Sequence, residues 1–419
     1  MKKIILTVVA FVVLIAAAPI STQTINAANS NPFKDINNHW AKDTILQAYD
    51  KGLVDGFPDG TFRPNDVVKA DQFIVMMLRA FSANVDGYTV FDPEWYEFLS
   101  DFQPGHLGTI RSAVRKNQFD FQTAKKGYWA KPYVDMLYEM PYLLEYDSVF
   151  PKDYKRFEKQ IKREEASYLL GEWYSHFEGG IEGNYDSFVN KNSGLKDFNT
   201  FTDIVGKYKA MVLTTGLMNG YPNKYFYPHR YVTRAEALTM VLRLRDSSLR
   251  TPFKPNLKGQ YYTEINGYIA LFSDKYKFDI YNELVALGKK HIKKGYLDIK
   301  NSYSMAVFAS KDDAESWDYY TRTGMWHLRP QVEMTAGVDS NDSRRVNVAY
   351  SRDNKLIYSE DYFNAVLELF AGKGKGAELK KVMQSKEKDL TSHPLTFTFN
   401  KKDFSIYLEG SLIVLHMAY

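Results

Sequence analysis

Apolar positions recur at helical spacing in paired stretches of the chain. Ile45, Leu46, Ala48 and Tyr49 follow Trp40-Ala41 and stop at Gly52, the pattern of a short amphipathic helix. Phe73, Ile74, Met76, Met77, Ala80 and Phe81 form a second such face, opened by Val67-Val68-Lys69-Ala70-Asp71. The segment between them carries Gly56, Pro58, Gly60 and Pro64 and reads as a turn-rich loop. This plan returns further on. Gly216, Gly220, Pro222, Phe226 and Pro228 fall on Gly52, Gly56, Pro58, Phe62 and Pro64 without a gap. Thr233-Arg234-Ala235-Glu236 then opens the apolar run Ala237, Leu238, Met240, Val241 and Leu242, and one residue of slack places Lys69 on Arg234 and Asp71 on Glu236.

A weaker copy lies between these two. Tyr128-Trp129-Ala130 with Tyr133, Val134 and Leu137 gives its first helix, and Ile161-Lys162-Arg163-Glu164-Glu165 opens the second over Ala166, Tyr168, Leu169 and Leu170. Aromatics and Pro151 replace the loop glycines over 141–154. The repeats therefore span 31–82, 128–178 (degenerate) and 198–247. In the insertion at 83–127, Phe91 to Tyr96 and Ile110 to Val114 suggest short packed helices. Residues 179–194 read as a loop before the third repeat.

Beyond 248–256, read as a linker, the period changes. Ile280, Tyr281, Leu284, Val285 and Leu287 fit a helix, whereas 302–308 and 346–350 alternate as strands do. Asp353-Asn354 would turn the latter strand into Leu356-Ile357-Tyr358. Ser359 starts a helix that stops at Gly372, and 395–399 with 404–408 form a hairpin followed by a strand over 412–415. The expected architecture is multidomain: an all-α helical bundle of three repeats, then an α+β domain over 257–419.

Charge and composition narrow the function. Lys2 and Lys3 precede an apolar run from Ile4 to Ala18 and small residues ending at Ala27 and Ala28, which reads as a signal peptide over 1–28. The run is shorter than the roughly 20 residues a bilayer needs, which makes a single-span anchor the runner-up reading, and no membrane association is expected after cleavage. The formal charge of +4 includes those two lysines, and no strongly basic field implies nucleic acid. Absence of cysteine excludes disulfides, thiolate-bound zinc and a thiol nucleophile.

Thr233 followed three residues later by Glu236 is a capping box, which puts Arg234 in a helix's first turn, where the macrodipole favours an acid. Either Arg234 pairs with Glu236 or a neighbouring carboxylate, or it awaits an external one. The Phe-x-Asp start at Phe33, the Trp-Ala helix, the spaced glycines, Asp59-Gly60-x-Phe62-x-Pro64 and Thr233-Arg234-Ala235-Glu236 together resemble the S-layer homology family over roughly residues 31–247. That resemblance implies a pseudo-threefold helical module on a Gram-positive surface, binding a secondary cell-wall polysaccharide that carries pyruvate ketals. A ketal carboxylate suits a helix N-terminus with free amide groups, and an arginine there adds a forked donor.

The candidate binding residues are Arg234, Arg163 and Lys69, with Glu236 and Asp71 beside them, Trp40 and Trp129, and Gly56 and Gly220. Lys69 lacks the planar fork, and for Arg163, followed by Glu164 and Glu165, a local ion pair is the favoured reading. The tryptophans offer a flat face to a sugar ring or pack between helices, and core packing is the favoured reading. The glycines serve turns and let a ligand approach the backbone. Asp35 and Asp203 are caps or ligand contacts. With the third repeat lacking its tryptophan, its site is expected to borrow an aromatic from a neighbour, and at most two sites look complete.

No catalytic motif, metal-ligand spacing or cofactor signature is present. Asp339 to Asp342 reads as a solvated turn, and no residue pair is nominated for hydrolysis. The last 55 or so residues faintly resemble the extracellular domain that ends lysozyme-sensing anti-sigma factors, which implies an accessory binding module. The expected function is a wall-anchored S-layer or S-layer-associated protein, with other S-layer proteins as further partners. A wall-anchored enzyme acting on envelope polymer through the C-terminal domain is the alternative.

Overall fold

A computed structural model describes residues 31–91, 127–137, 149–177, 183–299, 303–322, 332–338, 345–351 and 356–418, except positions 52, 86–87, 132, 135–136, 152, 204, 266–267 and 411. The expected signal peptide, most of the insertion and the 141–148 stretch lie outside the described residues.

The N-terminal module is built on α1 (Lys42–Asp50), α2 (Ala70–Ala80), α3 (Tyr154–Phe157), α4 (Arg163–Phe177), α5 (Gly183–Asn192), α6 (Lys209–Thr214) and α7 (Arg234–Arg245). It is not wholly helical, because β1 (Ser82–Val85) and β2 (Tyr88–Phe91) form an antiparallel hairpin where the insertion begins. Nor is 179–194 a plain loop. Tyr185 and Val189, one helical turn apart, are buried in the module's core, which makes α5 an amphipathic helix.

The short extended segments that enter α2, α4 and α7 meet in a ring. Val68 donates its N–H to Val232 O at 2.9 Å, Val232 to Ile161 O at 3.0 Å, and Ile161 to Val68 O at 3.1 Å. A second cyclic set surrounds the first: Ala70 N–H to Lys159 O, Arg163 N–H to Arg230 O and Arg234 N–H to Asp66 O, at 2.8–2.9 Å. The three side chains at the centre, Val68, Ile161 and Val232, are all buried. Lys69, Lys162 and Thr233 therefore occupy equivalent places, as do Ala70, Arg163 and Arg234. The gap-free register of the first and third repeats continues into their second helices. This corrects the one-residue slack: Lys69 stands at the Thr233 position, and Ala70, not Lys69, stands where the others carry arginine.

Burial at α5 has a titration consequence. Burial pushes the Asp186 carboxyl up to about 6, with Lys209 and the Asn190 amide acting the other way. Between its unfolded value of 3.8 and 6 the unfolded chain is ionised while the folded one still holds the proton, so stability falls as pH rises through that window. Asp186→Asn is expected to flatten this slope and to raise stability at pH 7 by about 2 kcal/mol, read from denaturant unfolding at pH 4 and pH 7.

The 248–256 segment is docked. Phe253 donates its N–H to Leu213 O and packs on the first core, while Arg250 hydrogen-bonds Arg243 O and Leu244 O. A hairpin, β3 (Tyr261–Ile265) and β4 (Tyr268–Phe272), follows. Leu271 faces the first core and Ala270 and Phe272 the second, so the hairpin's alternation ties the two modules together.

The C-terminal module is a seven-stranded antiparallel sheet in the order β5-β6-β7-β8-β11-β10-β9. Its strands are β5 (Tyr296–Ile299), β6 (Ser304–Phe308), β7 (Met334–Val338), β8 (Arg345–Ser351), β9 (Leu395–Phe399), β10 (Lys402–Glu409) and β11 (Leu412–Ala418). Residues of α8 (Lys275–His291), α10 (Glu360–Ala371) and α11 (Gly376–Lys386) share one core with the inward positions of the sheet, and α9 (Lys311–Arg322) packs beside β5 and β6 through Ala314 and Trp317. The mixed α+β class agrees with the alternation in the sequence. Leu356-Ile357-Tyr358 is a turn, not the expected strand. The buried Glu333 carboxylate takes the N–H groups of Ile357, Tyr358 and Ser359 at 3.0, 2.9 and 3.1 Å, which leaves them nothing for a ladder.

Candidate functional site

Each glycine-bearing loop is held by an aspartate at the start of its repeat. Asp35 accepts from the N–H groups of Phe62 and Arg63 at 2.8 and 2.7 Å, and Asp197 accepts from Phe226 and Tyr227, both at 2.7 Å. The third repeat thus begins at Leu195-Lys196-Asp197, and Asp197, not Asp203, is the partner of Asp35. A Cβ on Gly56 would fall 2.2 Å from the Phe33 ring, and one on Gly220 would fall 2.4 Å from Leu195 Cδ2. Close packing on the repeat's first residue dictates these glycines, and their missing side chain points into the module rather than toward a ligand.

The two arginines clamp these loops across repeat boundaries. Arg163 donates from Nε to Phe226 O at 2.8 Å and from Nη2 to Asn219 O at 3.0 Å. Arg234 donates from Nε to Phe62 O at 3.1 Å and from Nη2 to Asp55 O at 2.7 Å. The second repeat's arginine therefore holds the third repeat's loop, and the third repeat's arginine holds the first's. Both guanidinium groups lie over rings, Arg163 over Tyr221 and Phe226 and Arg234 over Phe57 and Phe62. Burial pulls the pKa of each below the usual arginine value.

The N-terminus of α7 is not an open anion site. Arg234 N–H goes to Asp66 O, Ala235 N–H to Pro64 O at 3.0 Å and Glu236 N–H to Thr233 Oγ1 at 3.3 Å. Glu236 completes the capping box by accepting from Thr233 N–H at 3.0 Å. Its other oxygen accepts from Tyr221 OH and Arg230 Nη2 and lies 4.0 Å from Arg163 Nη1. Asp71 sits elsewhere. Fully buried at the second position of α2, it accepts from Tyr128 OH at 2.9 Å and joins the first repeat to the second, burial raising its pKa. Lys69 is exposed at its N-cap.

Trp40 and Trp129 are not core residues, being 65% and 44% exposed. The position before Ala41 and Ala130, which are buried, falls on the outer side of the first helix. Trp40 lines a groove of about 580 Å³ together with Arg163, Asn219, Gly220, Tyr221 and Glu236. All three repeats contribute to this wall, and the third repeat's loop has its aromatic neighbour from the first. Arg243 also lines it, and Arg230 reaches Tyr221 and Glu236. These two and Tyr221 were missed from the sequence, where nothing distinguishes them from other surface residues of the repeat.

Residues 32–73 and 200–238, the first and third repeats, match the S-layer homology domain. The chain carries S-layer homology domains. Three relatives share this part of the chain. An "Exoglucanase XynX" of Acetivibrio thermocellus is 23% identical over 221 residues, 52% of this chain and 16% of that protein. An "Amylopullulanase" of Thermoanaerobacterium thermosulfurigenes is 24% identical over 218 residues, 52% of this chain and 10% of its own length. A "Cell surface glycoprotein 1" of Acetivibrio thermocellus is 29% identical over 151 residues, 35% of this chain and 5% of that protein. The shared stretches are thus a small part of each relative. S-layer homology domains indicate anchoring at the cell surface, and no helix among the described residues is long and apolar enough to cross a membrane.

Proposed function

We infer that the S-layer homology repeats form a pseudo-threefold anchor for a carboxylate-bearing secondary cell-wall polysaccharide, the pyruvate ketal being the group recognised, and that the chain is exported through its N-terminal signal. The groove joining Trp40, Arg163 and the 219–222 loop carries this reading. An exposed indole offers a flat apolar face to a sugar ring, and Arg243 on the same groove offers a forked donor to an acid, while the buried Arg163 contributes its charge. Arg243 adds a cation to the lining and Arg230 stands on Tyr221 and Glu236 beside it, where the sequence had named Arg234, Arg163 and Lys69. On this reading Trp129, Arg234 and the 55–58 loop form an equivalent second groove, which the cyclic arrangement of the repeats supports. The remaining position has Ala70 in place of arginine and no glycine loop in the second repeat, so two grooves serve the polymer. Lys69 and Asp71 have no part in either. The C-terminal α+β module is then the displayed part of an S-layer-associated protein.

Trp40→Ala is expected to weaken retention on isolated walls carrying pyruvylated polymer about tenfold, with the unfolding transition unchanged because the indole is mostly exposed. Binding of the parent protein to walls stripped of that polymer as tightly as to intact walls would overturn the reading.

A further inference from the structure

The ring of backbone hydrogen bonds makes the second helices of the three repeats comparable position by position. Nine residues on from Ala70, Arg163 and Arg234 stand Arg79, Glu172 and Arg243. The first two are taken up by a tyrosine of the following repeat. Arg79 donates from Nε to Tyr133 OH at 3.0 Å, and the buried Glu172 is hydrogen-bonded to the Tyr208 phenol. For Arg243 the following repeat in the cycle is the first, where Thr44 stands four residues after Trp40 as Tyr133 stands four after Trp129. Among the described residues the Arg243 guanidinium makes no hydrogen bond, ion pair or ring contact, and it lines the groove with Trp40 and Asn219.

The other charges of this groove are already matched. Arg163 uses Nε and Nη2 on carbonyls, and Arg163 and Arg230 flank the Glu236 carboxylate. A cation in the last turn of α7 complements the macrodipole, a role that the exposed Arg245 also fills. That role does not require a guanidinium to lie half-buried without a counter-charge. Burial pulls the Arg243 pKa below the usual arginine value with no acid acting the other way, whereas Glu236 does so for Arg163 and Asp55 and Asp66 for Arg234. A desolvated cation without an internal partner is stabilised by an anion from outside, and its planar fork matches a carboxylate. The exposed Trp40 indole on the same groove puts a sugar-stacking face beside it, so the acid that fits is one carried on a sugar.

We propose, resting on the polysaccharide reading above, that the two grooves are unequal: the one at Trp40 alone reads the acid, through Arg243, and the one at Trp129, whose arginine is held by Tyr133, takes uncharged sugar of the same polymer. An oligosaccharide fragment of the wall polymer carrying one pyruvate ketal is titrated calorimetrically into the full chain, beside the same fragment after mild acid has removed the ketal. The parent is expected to hold the pyruvylated fragment at one tight site per chain, about tenfold or more tightly than the stripped one. Arg243→Gln should bind both fragments alike and keep the parent's unfolding midpoint, because the guanidinium holds nothing in the fold. Arg243→Lys should keep part of the preference and Arg79→Gln all of it. A parent that binds neither fragment, or both alike, would overturn the polysaccharide reading together with the Arg243 assignment. A preference that survives in Arg243→Gln, is lost in Arg79→Gln, or comes with two tight sites per chain would overturn the assignment and leave that reading standing. The site count and the Arg79→Gln titration decide the assignment even where Arg243→Gln does not fold.

Discussion

Arg163→Ala is expected to destabilise the helical module by about 3–5 kcal/mol and to abolish retention on the wall polymer with it. The side chain is 3% exposed and spans two repeats. Its removal leaves Phe226 O and Asn219 O without their donors in a buried place and takes away one of the two cations beside Glu236. Arg163→Lys keeps the charge but cannot reach both carbonyls with a planar fork, so it should recover little. Arg234→Ala removes the equivalent pair of bonds at a half-buried site where Asp55 and Asp66 act on the guanidinium without a close ion pair among the described residues, and about 2 kcal/mol is expected. Denaturant unfolding of the full chain measures all three. An Arg163→Ala protein as stable as the parent would show that the clamp does not hold the repeats together. The two arginines thus couple folding to the groove, and the Trp40→Ala variant is the one that isolates binding.

Glu333→Ala is expected to cost the C-terminal module about 3–5 kcal/mol. The carboxylate is 6% exposed and satisfies three consecutive backbone N–H groups and Ser359 Oγ, the last at 3.0 Å. Alanine would leave these donors unpaired at the start of α10, whose N-cap Ser359 uses its hydroxyl on Glu333 and makes no side-chain cap of its own. Glu333→Gln keeps one acceptor oxygen and should cost less. The readout is the unfolding transition followed by near-ultraviolet circular dichroism of the full chain. An unshifted transition in Glu333→Ala would contradict the assigned role.

Part of the site was legible in local pattern. The Thr233 and Glu236 capping box forms as its spacing requires, and the gap-free correspondence of Gly56 with Gly220 reflects equal packing on Phe33 and Leu195. Where the alignment was allowed to slip, it failed: local chemistry placed a lysine on an arginine, while the ring of backbone hydrogen bonds gives Lys69 the threonine's place. Trp40 misled for a related reason. Its neighbours Ala41 and Ile45 are core residues, and a large aromatic beside them reads as core unless the groove it faces is known.

The sequence by itself determined the first and third repeats, the starts of their second helices, the glycine loops before them and the mixed α+β character of the last part, because these follow from spacing and from the conformational limits of glycine, proline and capping side chains within a few residues. Only the tertiary structure decided which arginine meets which loop, that the amides opening α7 are already taken, and that Trp40 and Arg163 share a groove with the 219–222 loop. Those contacts join residues in different repeats, and hydrophobic periodicity reports which face of an element is buried without saying what buries it.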